Sequence, residues 1–153
     1  MENNFNFMNF SFFEIDSLTA MKEAVREVFI QDFQKGKANF IKTSFIISEF
    51  IDPSYGGKHD DVFCCWQVSH YPNKIFFISN SGDGRITLCN VLQLKLHCSF
   101  YQFALSNDNA SPFFFFLHSS KQGITRDVLS YKEDRWQFYA KGPINSIEEL
   151  EFY

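Results

Sequence analysis

Leu92-Gln93-Leu94-Lys95-Leu96-His97-Cys98-Ser99-Phe100 is the stretch whose period governs the architecture expected for the rest of the chain. Leu92, Leu94, Leu96, Cys98 and Phe100 alternate with Gln93, Lys95, His97 and Ser99, and a period of two predicts a half-buried strand. Read so, it turns nearly everything after the first helix into strands joined by short polar turns. That order predicts an antiparallel meander in place of βαβ units.

Working outward, Asn80-Ser81-Gly82-Asp83-Gly84 has hairpin chemistry and links predicted strands at 75–79 and 85–90. Val62 to Ser69 reads as a strand, as does Phe40 to Ile51, which is apolar on both faces in the manner of a central strand. Downstream, strands are predicted at 113–118, 124–131 and 136–140, the last two joined through Lys132-Glu133-Asp134-Arg135. The opening segment, Phe5 to Phe13, alternates Phe with Asn or Ser and is a further strand.

One amphipathic helix stands out at about 17–35. Leu18, Met21, Val25, Val28 and Phe29 share one face, while Lys22, Glu23, Arg26 and Glu27 fill the other. Asp16 or Ser17 can cap its start, and Gly36 suits a left-handed residue past its end. After Gly142-Pro143, Ser146 followed by Glu149 forms a capping-box pattern that predicts a short C-terminal helix. The fold class expected is α+β: a single domain over residues 1–153, with an antiparallel meandering sheet packed against one N-terminal helix.

Composition agrees with a packed core. Phe occurs 21 times in 153 residues and aromatics make up 19%, which excludes disordered and collagen-like classes. Residues 1–16 carry Glu2, Glu14 and Asp16 and no base; residues 145–153 carry Glu148, Glu149 and Glu151 and no base. The net charge of -4 therefore comes wholly from the two ends, because residues 17–144 hold 14 bases against 12 acids. The bases are scattered, with no basic stripe, so no nucleic-acid partner is expected. The N-terminus lacks a positive n-region, and no apolar run approaches the roughly 18 residues of a membrane span. A cytoplasmic protein without membrane partners is the expectation. Cys64, Cys65, Cys89 and Cys98 form no CxxC pair and read as buried reduced thiols.

Chemistry-bearing patterns are sparse. Gly56-Gly57-Lys58-His59-Asp60-Asp61 is the most site-like loop, since a His beside two Asp can do acid–base work or bind a cation. It lacks a second ligand cluster at diagnostic spacing. Ser81-Gly82-Asp83-Gly84 has neither the acidic ladder of an EF-hand nor the Lys of a P-loop, and reads as a turn. His70, His97 and His118 fall in three separate elements. There is no GxSxG elbow, and Cys64 or Cys65 beside His59 or His70 lies in a core-like strand. A non-enzyme without catalytic residues, cofactor or metal is therefore expected. Tyr55, Tyr71, Trp136 and Tyr139 sit beside turns and are the aromatics expected at the surface.

Taken together, the size, the acidic character, the signal-free start and the tail resemble the small bacterial immunity proteins of polymorphic toxin systems, including contact-dependent growth inhibition. The tail in question is Trp136-Gln137-Phe138-Tyr139, a Gly-Pro break, then Ser146-Ile147-Glu148-Glu149-Leu150. The resemblance implies a cytoplasmic inhibitor that binds a cognate protein toxin, often a nuclease, and blocks its active site. The partner-binding residues expected are Tyr55, His59, Asp60 and Asp61, or else Glu148, Glu149 and Glu151. Two rivals remain: a small-molecule carrier with the strands closed into a barrel or cone around an aromatic pocket, and an enzyme using His59 and Asp60.

Overall fold

A computed structural model describes residues 6–52, 61–108 and 112–148. The elements in chain order are β1 (Phe7–Phe13), α1 (Leu18–Val28), α2 (Ile30–Gln34), a 3-10 turn (Ile47–Glu49), β2 (Phe63–Val68), β3 (Tyr71–Ser79), α3 (Ile86–Leu96), β4 (Phe100–Ser106), β5 (Phe113–Ser120), β6 (Gly123–Lys132) and β7 (Trp136–Lys141). The strands form one seven-stranded sheet in the order β2-β3-β1-β4-β5-β6-β7, and every neighbouring pair is antiparallel. The domain is α+β, as the sequence predicts. The sheet is open, with β2 and β7 at its edges; the described strands do not form the closed barrel or cone of the carrier reading.

Side chains alternate across the sheet, so adjacent residues serve opposite faces. Phe13, Ile75, Phe77, Phe100 and Leu117 bury one face against Met21, Ala24 and Val25 of α1 and Leu88, Cys89 and Leu92 of α3. Their sequence neighbours Phe12, Tyr101 and Phe116, with Val128, form a second cluster on the other face, flanked by Phe76 and Phe103. The abundant Phe is thereby divided between two apolar layers, which is why so many fit in one small domain.

Ser17 caps α1, its hydroxyl accepting from the Ala20 N–H at 3.1 Å. The helix expected at 17–35 breaks at Phe29 (φ -104°, ψ 27°) into α1 and α2, and Gly36 takes the left-handed conformation (φ 68°).

Two expectations need correction. Residues 86–96 are helix, where strands at 85–90 and 92–100 and a hairpin at 80–84 are predicted. The helix buries Leu88, Cys89, Leu92 and Gln93, exposes Leu94 at 66%, and ends at left-handed His97 (φ 51°). The strand then begins at Phe100. Gln93 decides the matter: it is 4% exposed because its amide accepts from Ser119 Oγ at 2.9 Å and donates to the Ser120 carbonyl of β5. The sheet thus packs against two helices, and α3 is tied to α1 by a surface ion pair between Lys95 and Glu27 (2.9 Å).

Residues 40–46 form no strand. Phe40 stacks instead on Phe33, with Lys22 and Arg26 over its ring, and Phe45 stacks on Trp66. Of the C-terminal helix expected from Ser146, residues 149–153 lie outside the described residues; residues 145–148 form a turn closed by the Glu148 N–H to the Asn145 carbonyl (3.0 Å). The capping geometry falls one residue earlier than expected. Asn145 Oδ1 accepts from Ile147 N–H (3.1 Å), and Glu148 accepts from Asn145 N–H (2.7 Å).

Candidate functional site

The strand registers align Phe12, Tyr101, His118 and Arg126 in one row across β1, β4, β5 and β6, on the face away from the helices. His118 stacks on Tyr101, with ring centroids 4.4 Å apart. The Tyr101 hydroxyl donates to Glu14, which follows β1, at 3.5 Å. From the other side, the segment after β7 folds back onto the same row. Arg126 donates to the Gly142 carbonyl (2.8 Å) and makes two bonds to Glu148, Nε to Oε1 at 2.9 Å and Nη2 to Oε2 at 2.6 Å. Asn145 Nδ2 lies 3.2 Å from His118 Nδ1, which also meets Thr125 Oγ1 at 2.7 Å.

Glu14, near one end of the sequence, and Glu148, near the other, therefore both reach the Tyr101–His118–Arg126 row. Glu14 is exposed there, whereas Glu148 is covered; Asp16, also exposed, lies toward β2, where its carbonyl accepts from Gln67.

Each ionisable group responds to its surroundings. Hydrogen bonding from Arg126 holds the Glu148 carboxyl below its usual range, against the opposing pull of burial. Burial lowers the His118 pKa, with Glu14 pulling the other way. Burial raises the Tyr101 phenol, and the negative charge of Glu14 adds to it.

Chemically the row is a holding device. Asn145 presents its amide nitrogen to His118 because its oxygen is engaged by Ile147, so Nδ1 must accept and the ring is the neutral Nε2–H tautomer. Its one lone pair is engaged by protein partners within the fold. Nε2 is buried without a hydrogen-bond partner.

A second polar group fixes the approach to α3. Asn9 Nδ2 donates to the carbonyls of Ser81 (3.0 Å) and Gly82 (3.2 Å), and Gln102 Nε2 donates to that of Asp83 (3.0 Å). These side chains reach out of β1 and β4 on the helix-bearing face and clamp the 81–84 loop to the sheet.

Of the residues singled out in the sequence, Asp61 pairs with Arg85 at the start of α3, and Glu148 pairs with Arg126. Tyr55, His59, Asp60, Glu149 and Glu151 lie outside the described residues. Tyr101, Arg126 and Asn145 escaped sequence reasoning, and His118 was read only as one of three histidines in separate elements; a His and an Arg on the same strand faces as Phe116 and Val128 were the available signal.

The edge strand β7 is open on both faces, with Trp136 58%, Phe138 62% and Tyr139 49% exposed; Tyr71 is 52% exposed. An open depression beside it is lined by Pro112, Phe113, Leu129, Tyr131, Lys132 and Glu133. Among the described residues no three His, Cys, Asp or Glu side chains gather as metal ligands, and no helix is long and apolar enough to cross a membrane.

No family model matches the chain, and neither the curated proteins nor the solved structures contain a match.

Proposed function

We propose that the chain is an inhibitory binding protein of the immunity type, which docks a basic protein toxin at the Glu14 end of the Tyr101–His118–Arg126 row. One observation carries this reading: Glu14 and the Glu148-bearing segment meet at the Tyr101–His118–Asn145 group. In the sequence the acids are split between two remote ends, with bases in the majority between them. At that group Glu14 leaves an exposed negative charge, and with it a local field. Such a field speeds association with a cationic surface and imitates the anionic substrate of a nuclease.

Within this reading the acids divide their roles. Glu14 presents charge to the partner. Glu148 is neutralised by Arg126 and holds the C-terminal segment in place. The exposed aromatics of β7, which lead into that segment, supply apolar contact area beside the charge.

The test is expression of this chain with the product of the gene immediately upstream. Specific complex formation and protection of cells from that product are expected. Reversing the exposed acid, Glu14→Lys, should slow association several-fold at low salt, with the difference shrinking as salt rises. A chain that neither binds nor protects would remove the proposal.

A further inference from the structure

His118 has an arrangement that the binding reading does not use. Its Nδ1 is met by Thr125 Oγ1 from β6 and by Asn145 Nδ2 from the C-terminal segment. Asn145 cannot turn its oxygen to the ring without giving up the Ile147 N–H. The contact therefore requires a bare Nδ1. We propose that His118 is the pH-sensitive catch of a latch, its neutral ring holding segment 142–148 on the sheet and its protonated ring letting that segment go.

A proton added at Nδ1 would point at the Asn145 NH2 group, turning a hydrogen bond into a donor–donor repulsion. Thr125 hydroxyl can donate to the His118 carbonyl (3.4 Å) and accept from the ring, so protonation keeps the β6 partner and loses the segment. Release acts at one turn: Asn145 caps it, and the same turn presents Glu148 to Arg126. Opening would uncover Arg126 and Tyr101, now 7% and 5% exposed.

The charged and titratable groups facing the ring are Glu14 after β1, Tyr101 on β4, Arg126 on β6 and Glu148 on the segment itself. Glu14 favours the protonated ring, and the charge of Arg126 is balanced by Glu148. Burial outweighs Glu14 and leaves the ring below its ordinary 6.5. A group depressed in the closed state stabilises closure fully above about 6.5, and that contribution is lost as pH falls below it. Glu148 itself stays ionised through this window, since Arg126 lowers its pKa from 4.5.

Amide hydrogen exchange on the full chain reads the latch directly at the N–H groups of Asn145 and Ile147. Corrected for intrinsic rates, their protection should fall about tenfold between roughly pH 7.5 and roughly pH 5.5, while β4 and β5 amides hold theirs. In His118→Asn, whose amide oxygen accepts without titrating, the fall should vanish. Unchanged protection in the unsubstituted chain, or an equal fall in the variant, would overturn the latch. Should the variant fail to fold, NMR titration of the His118 ring replaces it. The Ile147 amide must then shift with the same midpoint as the ring, and a different midpoint overturns the proposal.

Discussion

Arg126 and Glu148 are joined by two parallel hydrogen bonds while their side chains remain only 9% and 7% exposed. The guanidinium has a further bond to the Gly142 carbonyl, and the carboxylate a further bond from the Asn145 N–H. Both charges are thus taken out of water with their remaining hydrogen-bonding capacity largely used, which is the condition under which a covered ion pair is tolerated. Through it the chain end is tied to β6.

Removing one partner strands the other. Glu148→Ala leaves the Arg126 charge covered and uncompensated, and should destabilise the fold by about 3 kcal/mol. Arg126→Met combined with Glu148→Leu should cost much less than the single change, because no lone charge remains. Urea denaturation of the three proteins checks this; equal losses in the single and double variants would contradict it. The pH dependence has a definite sign. Glu148 is lowered from 4.5 in the fold, so its contribution is present above that value and is lost as pH falls through it.

Glycines past the ends of elements separate two costs. Gly36 and Gly142 both have positive φ (68° and 86°), but a Cβ on Gly36 would meet open space. A Cβ on Gly142 would run into the carbonyl oxygen of Thr125. Gly36→Ala should cost about 1 kcal/mol, from backbone conformation alone. Gly142→Ala should cost clearly more, about 2–4 kcal/mol, because the collision pushes the C-terminal segment off β6. Thermal unfolding of the pair gives the comparison, and equal losses would refute the close approach.

The cysteines should be poor nucleophiles in the folded chain. Burial raises all four, Cys89 to about 12 and Cys98 to about 11, with Cys65 higher still. For Cys89 the contact with Ser11 works against burial without cancelling it. A thiol held this far above neutrality carries almost no thiolate at about pH 8. Alkylation with iodoacetamide, followed by mass spectrometry, should label the native chain slowly and modify all four positions only after denaturation. Cys64, half-buried at edge strand β2, should react first. Rapid native labelling of Cys89 would contradict the packing.

How much of this was legible in the sequence depended on whether local pattern and long-range partners agreed. For α1 they did: the apolar stripe and Ser17 are local signals, and the core buries Met21 and Val25 as the stripe requires. Strands β5 to β7 were legible for the same reason, with alternation and turn residues in step. At residues 40–46 β-propensity misled: the segment joins neither open edge of the sheet, β2 nor β7. The segment's rings stack on Phe33 and Trp66 instead. At the Tyr101–His118–Arg126 row the acids themselves could be read, but their neighbours could not. Arg126 and His118 become partners of the tail only through registers set by β4, β5 and β6.

The sharpest case is the stretch Leu92 to Leu96, which satisfies two periods at once. Leu92, Leu94 and Leu96 alternate, while Leu88, Cys89, Leu92, Gln93 and Leu96 fall on one helical stripe. A strand would make Leu92 and Leu94 equivalent; α3 makes them opposites, at 0% and 66% exposed. Leu94→Lys should therefore change stability by less than about 0.5 kcal/mol, as other surface substitutions do. Leu92→Ala should cost about 3 kcal/mol through the cavity left among Met21, Val25 and Phe100, and Leu92→Lys should prevent folding by placing a charge there. Denaturation midpoints and circular dichroism of the three variants would distinguish the geometries. A Leu94→Lys variant as damaged as Leu92→Lys would return this stretch to the sheet.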